Sequence, residues 1–142
     1  MLPSRRSFGI VIAFYSDLKV LWVERSVIAV DDSAPMDYQY ALEEFEGDRE
    51  FLLEILHGFL NSAENHIATI HRYISEGNAE GVRKEAHSIK GGAANLCANR
   101  LSKIAQELEN NGESGKIGKE SVEILDKLEN EFNRLQIFAG NQ

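Results

Sequence analysis

Between Asp48 and Glu76 the apolar side chains Leu52, Ile55, Leu56, Phe59, Ala63, Ile67, Ile70 and Ile74 recur at intervals of three and four. A run of that length and period is a helix with one greasy stripe. Such a helix cannot bury its own stripe, so the chain must supply partners for it. It does so on both sides. Tyr38, Leu42 and Phe45 mark a short helix stopped by Gly47, and Val82, Ala86, Ile89, Ala93 and Leu96 mark another over about 79–96. A further helix is expected over about 99–110 and a last one over about 119–138, with Val122, Leu125, Leu128, Phe132 and Leu135 on one face. Asp48 and Asn78 suit N-caps and Gly77 suits a C-terminal stop, while Asn110-Asn111-Gly112 and Ser114-Gly115 read as a loop. The expected fold is all-α: over 36–142, an antiparallel four-helix bundle with a short additional N-terminal helix.

Composition changes near Ala34-Pro35. Phe8–Tyr15, Leu18–Val23 and Val27–Val30 are rich in Val, Ile and aromatics, which favours short strands. Three strands without a partner sheet make a poor domain, so 1–35 reads as a strand-like or irregular extension, either appended or the translated edge of a misplaced start. Val27 to Asp32 looks superficially like the first strand and acidic pair of a receiver domain. No room remains for the other strands, and the match is treated as chance. Arg5 and Arg6 precede an apolar stretch of only eight residues, too short to span a bilayer, and no convincing cleavage site follows. The expectation is no membrane insertion.

The formal charge is -8. Residues 1–35 carry four basic and four acidic side chains, so the whole excess lies in 36–142. That balance argues against a nucleic-acid partner, whose phosphates require a basic face. A single cysteine, Cys97, excludes an internal disulfide and suits a reducing cytosol, making a cytoplasmic location the expectation.

The helix over 79–96 contains two adjacent glycines, Gly91 and Gly92, at a cost of roughly 2 kcal/mol relative to alanine. Close approach of another molecule is the natural reason to keep them. At about 100° per residue, His87 points roughly 140° from the centre of the apolar stripe, into solvent. Around it fall Arg83, Lys84, Lys90, Gly91 and Ala94, a small, open and cationic patch. Free imidazole is largely neutral near pH 7.5, leaving a lone pair that can attack phosphorus. Lys90, one turn on, can neutralise transferring phosphoryl oxygens. Gly91 and Ala94 remove side chains that would obstruct a partner. Gly92 lies nearer the core boundary, where helix packing explains it.

The run Ala86-His87-Ser88-Ile89-Lys90-Gly91-Gly92-Ala93-Ala94-Asn95-Leu96 resembles the active helix of histidine-containing phosphotransfer (HPt) domains, with the signature His-x-x-Lys-Gly. Ala41 to Phe45 with Gly47 to Leu52 is similar to the family's entry into its long helix, and Leu101 to Glu109 to its next one, so the likeness extends over about 36–138. It implies that His87 is the phosphoacceptor, that Lys90 stabilises the phosphoryl group, and that Gly91 gives clearance to a response-regulator receiver domain. Arg83, Lys84 and Ala94, which the helix period places around His87, are expected in the docking surface. It further implies a monomeric phosphocarrier without ATP-dependent kinase activity, serving a hybrid histidine kinase and a receiver. No intrinsic cofactor is implied, and Mg²⁺ is expected on the receiver. The family often has glycine ten residues after the histidine, where this chain has Cys97; a left-handed backbone there adds strain of roughly 1 kcal/mol. The 1–35 extension has no counterpart in the family core.

Two competing readings stand. One is a helical interaction module in which His87 is never phosphorylated. The other is a metal site drawn from His57, His66, His71 and Cys97. His66 and His71 are five residues apart, about 140° around a helix, and do not converge as an i, i+4 pair does.

Overall fold

A computed structural model describes residues 34–142, and the strand-like reading of the first 33 residues lies outside the described residues. Five helices follow one another: α1 (Tyr38–Glu44), α2 (Arg49–Glu76), α3 (Ala79–Asn95), α4 (Asn99–Glu113) and α5 (Lys119–Gly140). Asp37, Asp48 and Asn78 each place a side-chain oxygen on a backbone N–H three residues on, capping α1, α2 and α3. Gly77 ends α2 with a left-handed φ of 69°, a conformation that glycine adopts without a Cβ penalty.

Helices α2 to α5 run up and down as an antiparallel bundle. α3 packs between α2 and α4, and α5 packs on α4 and closes against α2. The core is the predicted stripes meeting: Leu52, Leu56, Ala63, Ile67 and Ile70 from α2, Val82, Ala86, Ile89 and Ala93 from α3, and Leu125, Leu128, Phe132 and Leu135 from α5, all buried. Leu101, Ile104, Ala105 and Leu108 complete it from α4. Two predicted stripe members face out instead: Ile55 and Val122 are exposed, at the margins of stripes narrower than the sequence pattern.

The expected loop at Asn110-Asn111-Gly112 is helical. A Cβ at Gly112 would lie 2.8 Å from the Arg83 backbone nitrogen and 2.9 Å from the Ala79 oxygen, so this glycine permits close contact between α3 and α4. Asn111 is buried and accepts a hydrogen bond from the Ser121 hydroxyl, which in turn accepts from the Gly118 N–H. Turn-forming residue types here serve packing and link α4 to α5, and their composition masked the last turn of helix.

The α3–α4 connection is tight. Cys97 adopts φ 59°, with its N–H on the Ala94 carbonyl and the Ala98 N–H on the Ala93 carbonyl, a helix-ending motif that favours glycine. The Cys97 carbonyl also accepts from the Asp37 N–H, anchoring the entry to α1. This short turn makes α3 and α4 a hairpin whose facing positions are equidistant from Ala98.

Candidate functional site

His87 lies in the middle of α3, on the side turned toward α4, with its side chain 61% exposed. The hairpin sets Glu109 opposite it. His87 Nδ1 is 2.9 Å from Glu109 Oε2, and Lys90 Nζ is 2.8 Å from Glu109 Oε1. Lys90 also donates to Gln106 Oε1 at 3.1 Å, and the Gln106 amide donates to Asn110 Oδ1. One carboxylate thus holds both an imidazole and an ammonium, and it is only 13% exposed.

Protonation follows from this geometry. Hydrogen bonding by Lys90, and secondarily by His87, holds the Glu109 carboxyl below the ordinary glutamate range, against the opposing effect of burial. An ionised carboxylate can only accept, so the contacting Nδ1 carries the hydrogen. In a neutral ring that leaves Nε2 as the nitrogen with the lone pair. The imidazole is therefore set to act as a nucleophile through its outward nitrogen.

The other residues expected around His87 divide into two groups. Gly91 and Ala94 are exposed, and a Cβ at Gly91 would meet nothing within 4 Å, leaving the surface beside the histidine open. Gly92 differs: a Cβ there would lie 2.6 Å from the Phe59 ring, so it serves the α2–α3 packing. Lys84 is exposed, whereas Arg83 is half-buried and held by Glu80 through Nε at 3.0 Å and Nη2 at 2.6 Å. The expected cationic patch needs correction, because Glu109 neutralises Lys90 and Glu80 engages Arg83.

Glu109 and Gln106 were not singled out from the sequence as site residues. Their signal lay in the hairpin: Ala98 is midway between Lys90 and Gln106, and equally midway between His87 and Glu109. The histidines of the metal reading are dispersed. His66 Nδ1 meets Glu85 at 2.6 Å and His71 Nε2 meets Glu129 at 3.1 Å, each pair separate from the other. Among the described residues no group of three potential ligands is placed to hold a metal ion. Cys97 is buried, and burial together with the charges of Asp37 and Glu44 pushes its thiol up.

A solvent-facing histidine with a lysine one turn on, carried by a four-helix bundle, defines a class: the phosphoryl carriers of multistep signalling. Residues 54–137 match the Hpt domain family, and the chain belongs to that family, whose members carry out histidine phosphotransfer in phosphorelays. The matched region takes in most of α2, all of α3 and α4, and most of α5. Its fold is also that of a crystal structure of histidine-containing phosphotransfer protein B from Pseudomonas aeruginosa PAO1. The TM-score is 0.70 and the identity 24%, over 77% of this chain and 94% of that one. No curated protein sequence matches the chain. Members of the family are phosphocarriers rather than kinases. None of the helices among the described residues is long and apolar enough to cross a membrane.

Proposed function

We propose that His87 is the residue that carries the phosphoryl group, through Nε2. The observation that supports this reading best is the pairing of an outward imidazole with a half-buried carboxylate: Nδ1 is engaged by Glu109 and the other nitrogen is left to react. Lys90 then serves the transferring phosphoryl oxygens, exchanging part of its contact with Glu109 and Gln106 for the incoming anion. Gly91 and Ala94, and the exposed Lys84, form the surface against which a receiver domain seats. Arg83 contributes at the rim, steered by its bond to Glu80.

In this reading the chain has no ATP-dependent kinase activity of its own and no intrinsic cofactor. It accepts from, and donates to, the aspartate of a receiver domain, including one belonging to a hybrid histidine kinase, with Mg²⁺ held on the receiver. The carrier works as a cytoplasmic monomer. Residues 36–142 form the phosphotransfer domain and 1–35 an appended segment.

The test is chemical labelling with phosphoramidate, a small phosphoryl donor that needs no protein partner. Acid-labile label on the peptide containing His87 is the expected result. Label on a peptide containing His57, His66 or His71, with none on His87, overturns the assignment. Absence of label altogether favours the inert interaction module.

A further inference from the structure

Glu109 does more than orient a ring at rest, because a phosphorylated imidazole has a proton inventory of its own. Phosphorylation consumes the Nε2 lone pair. The ring then has two forms: cationic with hydrogen on Nδ1, or neutral with a bare lone pair there. Only the first leaves as neutral imidazole when the N–P bond breaks. The second must leave as an imidazolate anion, a far poorer leaving group.

We infer that Glu109 is a positioning residue that holds the Nδ1 proton on the phosphorylated His87 ring, so that the carrier remains a ready donor above neutral pH. This rests on the assignment of His87 as phosphoacceptor. The warrant is the 2.9 Å contact between Nδ1 and Oε2 of a carboxylate shielded from solvent. The charges facing this pair are Lys90 and Arg83 from α3, with Glu113 accompanying Glu109 from α4. Lys90 keeps the carboxylate ionised, so Glu109 accepts the ring proton without taking it.

Donation balances with no added proton. An oxygen of the acceptor, a receiver carboxylate or water, attacks phosphorus and forms the P–O bond. The N–P bond breaks and its electron pair returns to Nε2. The ring ends neutral, hydrogen still on Nδ1 and still bonded to Glu109, which is the resting arrangement. Acceptance is the reverse.

The experiment uses the full chain phosphorylated with phosphoramidate, following loss of label to water and the ¹⁵N spectrum of the ring from pH 6 to 9. In wild type the Nδ1 resonance should remain that of a protonated nitrogen to higher pH than in Glu109→Gln. Label loss at the alkaline end should be about tenfold slower in the variant, one unit of displacement in the protonated fraction. The two rates should converge near pH 6, where solvent protonates both rings. Glu109→Asp keeps the charge and should restore part of the wild-type profile. Superimposable pH profiles and spectra for wild type and Glu109→Gln, with label on His87, overturn the role of Glu109 alone. Label that persists in His87→Gln overturns the assignment beneath it.

Discussion

Two histidine–glutamate pairs flank α3, one toward α2 and one toward α4, and they share nearly the same contact. His66 Nδ1 meets Glu85 at 2.6 Å and His87 Nδ1 meets Glu109 at 2.9 Å. What separates them is how far the imidazole stands out and what else holds the carboxylate. In the first pair the imidazole is 29% exposed and the carboxylate 24%, so both lie half-sunk in the α2–α3 seam. In the second the imidazole is 61% exposed while the carboxylate, 13% exposed, is shared with Lys90. A histidine–glutamate hydrogen bond is thus no signature of phosphoryl transfer. The chemistry needs an outward nitrogen, an inward carboxylate and a cation within reach.

The largest expected effect breaks this comparison directly. His87→Gln should abolish acid-labile phosphorylation, and His66→Gln should leave it intact, with both proteins retaining wild-type helical content by circular dichroism. Loss of label in His66→Gln alone would show that the half-buried pair is the reactive one.

Next comes the interface that creates the second pair. Gly112→Ala puts a methyl group against the backbone of Arg83 and Ala79, atoms that move only if α3 and α4 part. Overpacking of this kind costs about 1–3 kcal/mol, partly offset by alanine's better helix propensity. Urea denaturation should show the loss, and transfer should slow because Glu109 is carried away from His87. Gly92→Ala presses on the Phe59 ring, a side chain that can rotate aside, and should cost less. Gly91→Leu should cost nothing in stability while obstructing transfer from a receiver, since its Cβ enters open space.

How much of this was readable in the residues differs between helix faces and helix partners. The apolar stripes, the caps at Asp48 and Asn78, and the stop at Gly77 are local signals, and the helices form where those signals stand. His87 and its exposure follow from the period of one helix. The end of α4 extends through the expected loop at Asn110-Asn111-Gly112: Asn and Gly mark turns by local preference, whereas here Gly112 answers a neighbouring backbone and Asn111 a neighbouring hydroxyl. Glu109 carries no local signal of its role for the same reason. Its role is fixed by the pairing of two helices, and nothing in its own helix distinguishes it from Glu107.

Lys90→Ala tests the contrast further, since among the described residues no lysine pairs with Glu85, the partner of His66. Hydrogen bonds to charged groups contribute about 1.5–3 kcal/mol, and removing one from the transfer step should slow it by a corresponding amount. Phosphoramidate labelling rates for wild type and variant measure this. Equal rates would reduce Lys90 to the counter-ion of Glu109.

The smallest expected effect concerns stability at acid pH. The Glu109 carboxyl titrates below its unfolded value, with its bond from Lys90 as the leading cause. A depressed carboxyl contributes stability that is fully present above the unfolded glutamate value of about 4.3 and is lost as pH falls through the lower folded value. Glu109→Gln lacks that titration. Thermal melts from pH 6 to pH 3 should therefore show the wild-type midpoint falling more steeply than the variant's below about pH 4.3, with the two curves running parallel above it. Curves parallel over the whole range would mean that Lys90 stabilises this carboxylate no better in the fold than water does in the unfolded chain.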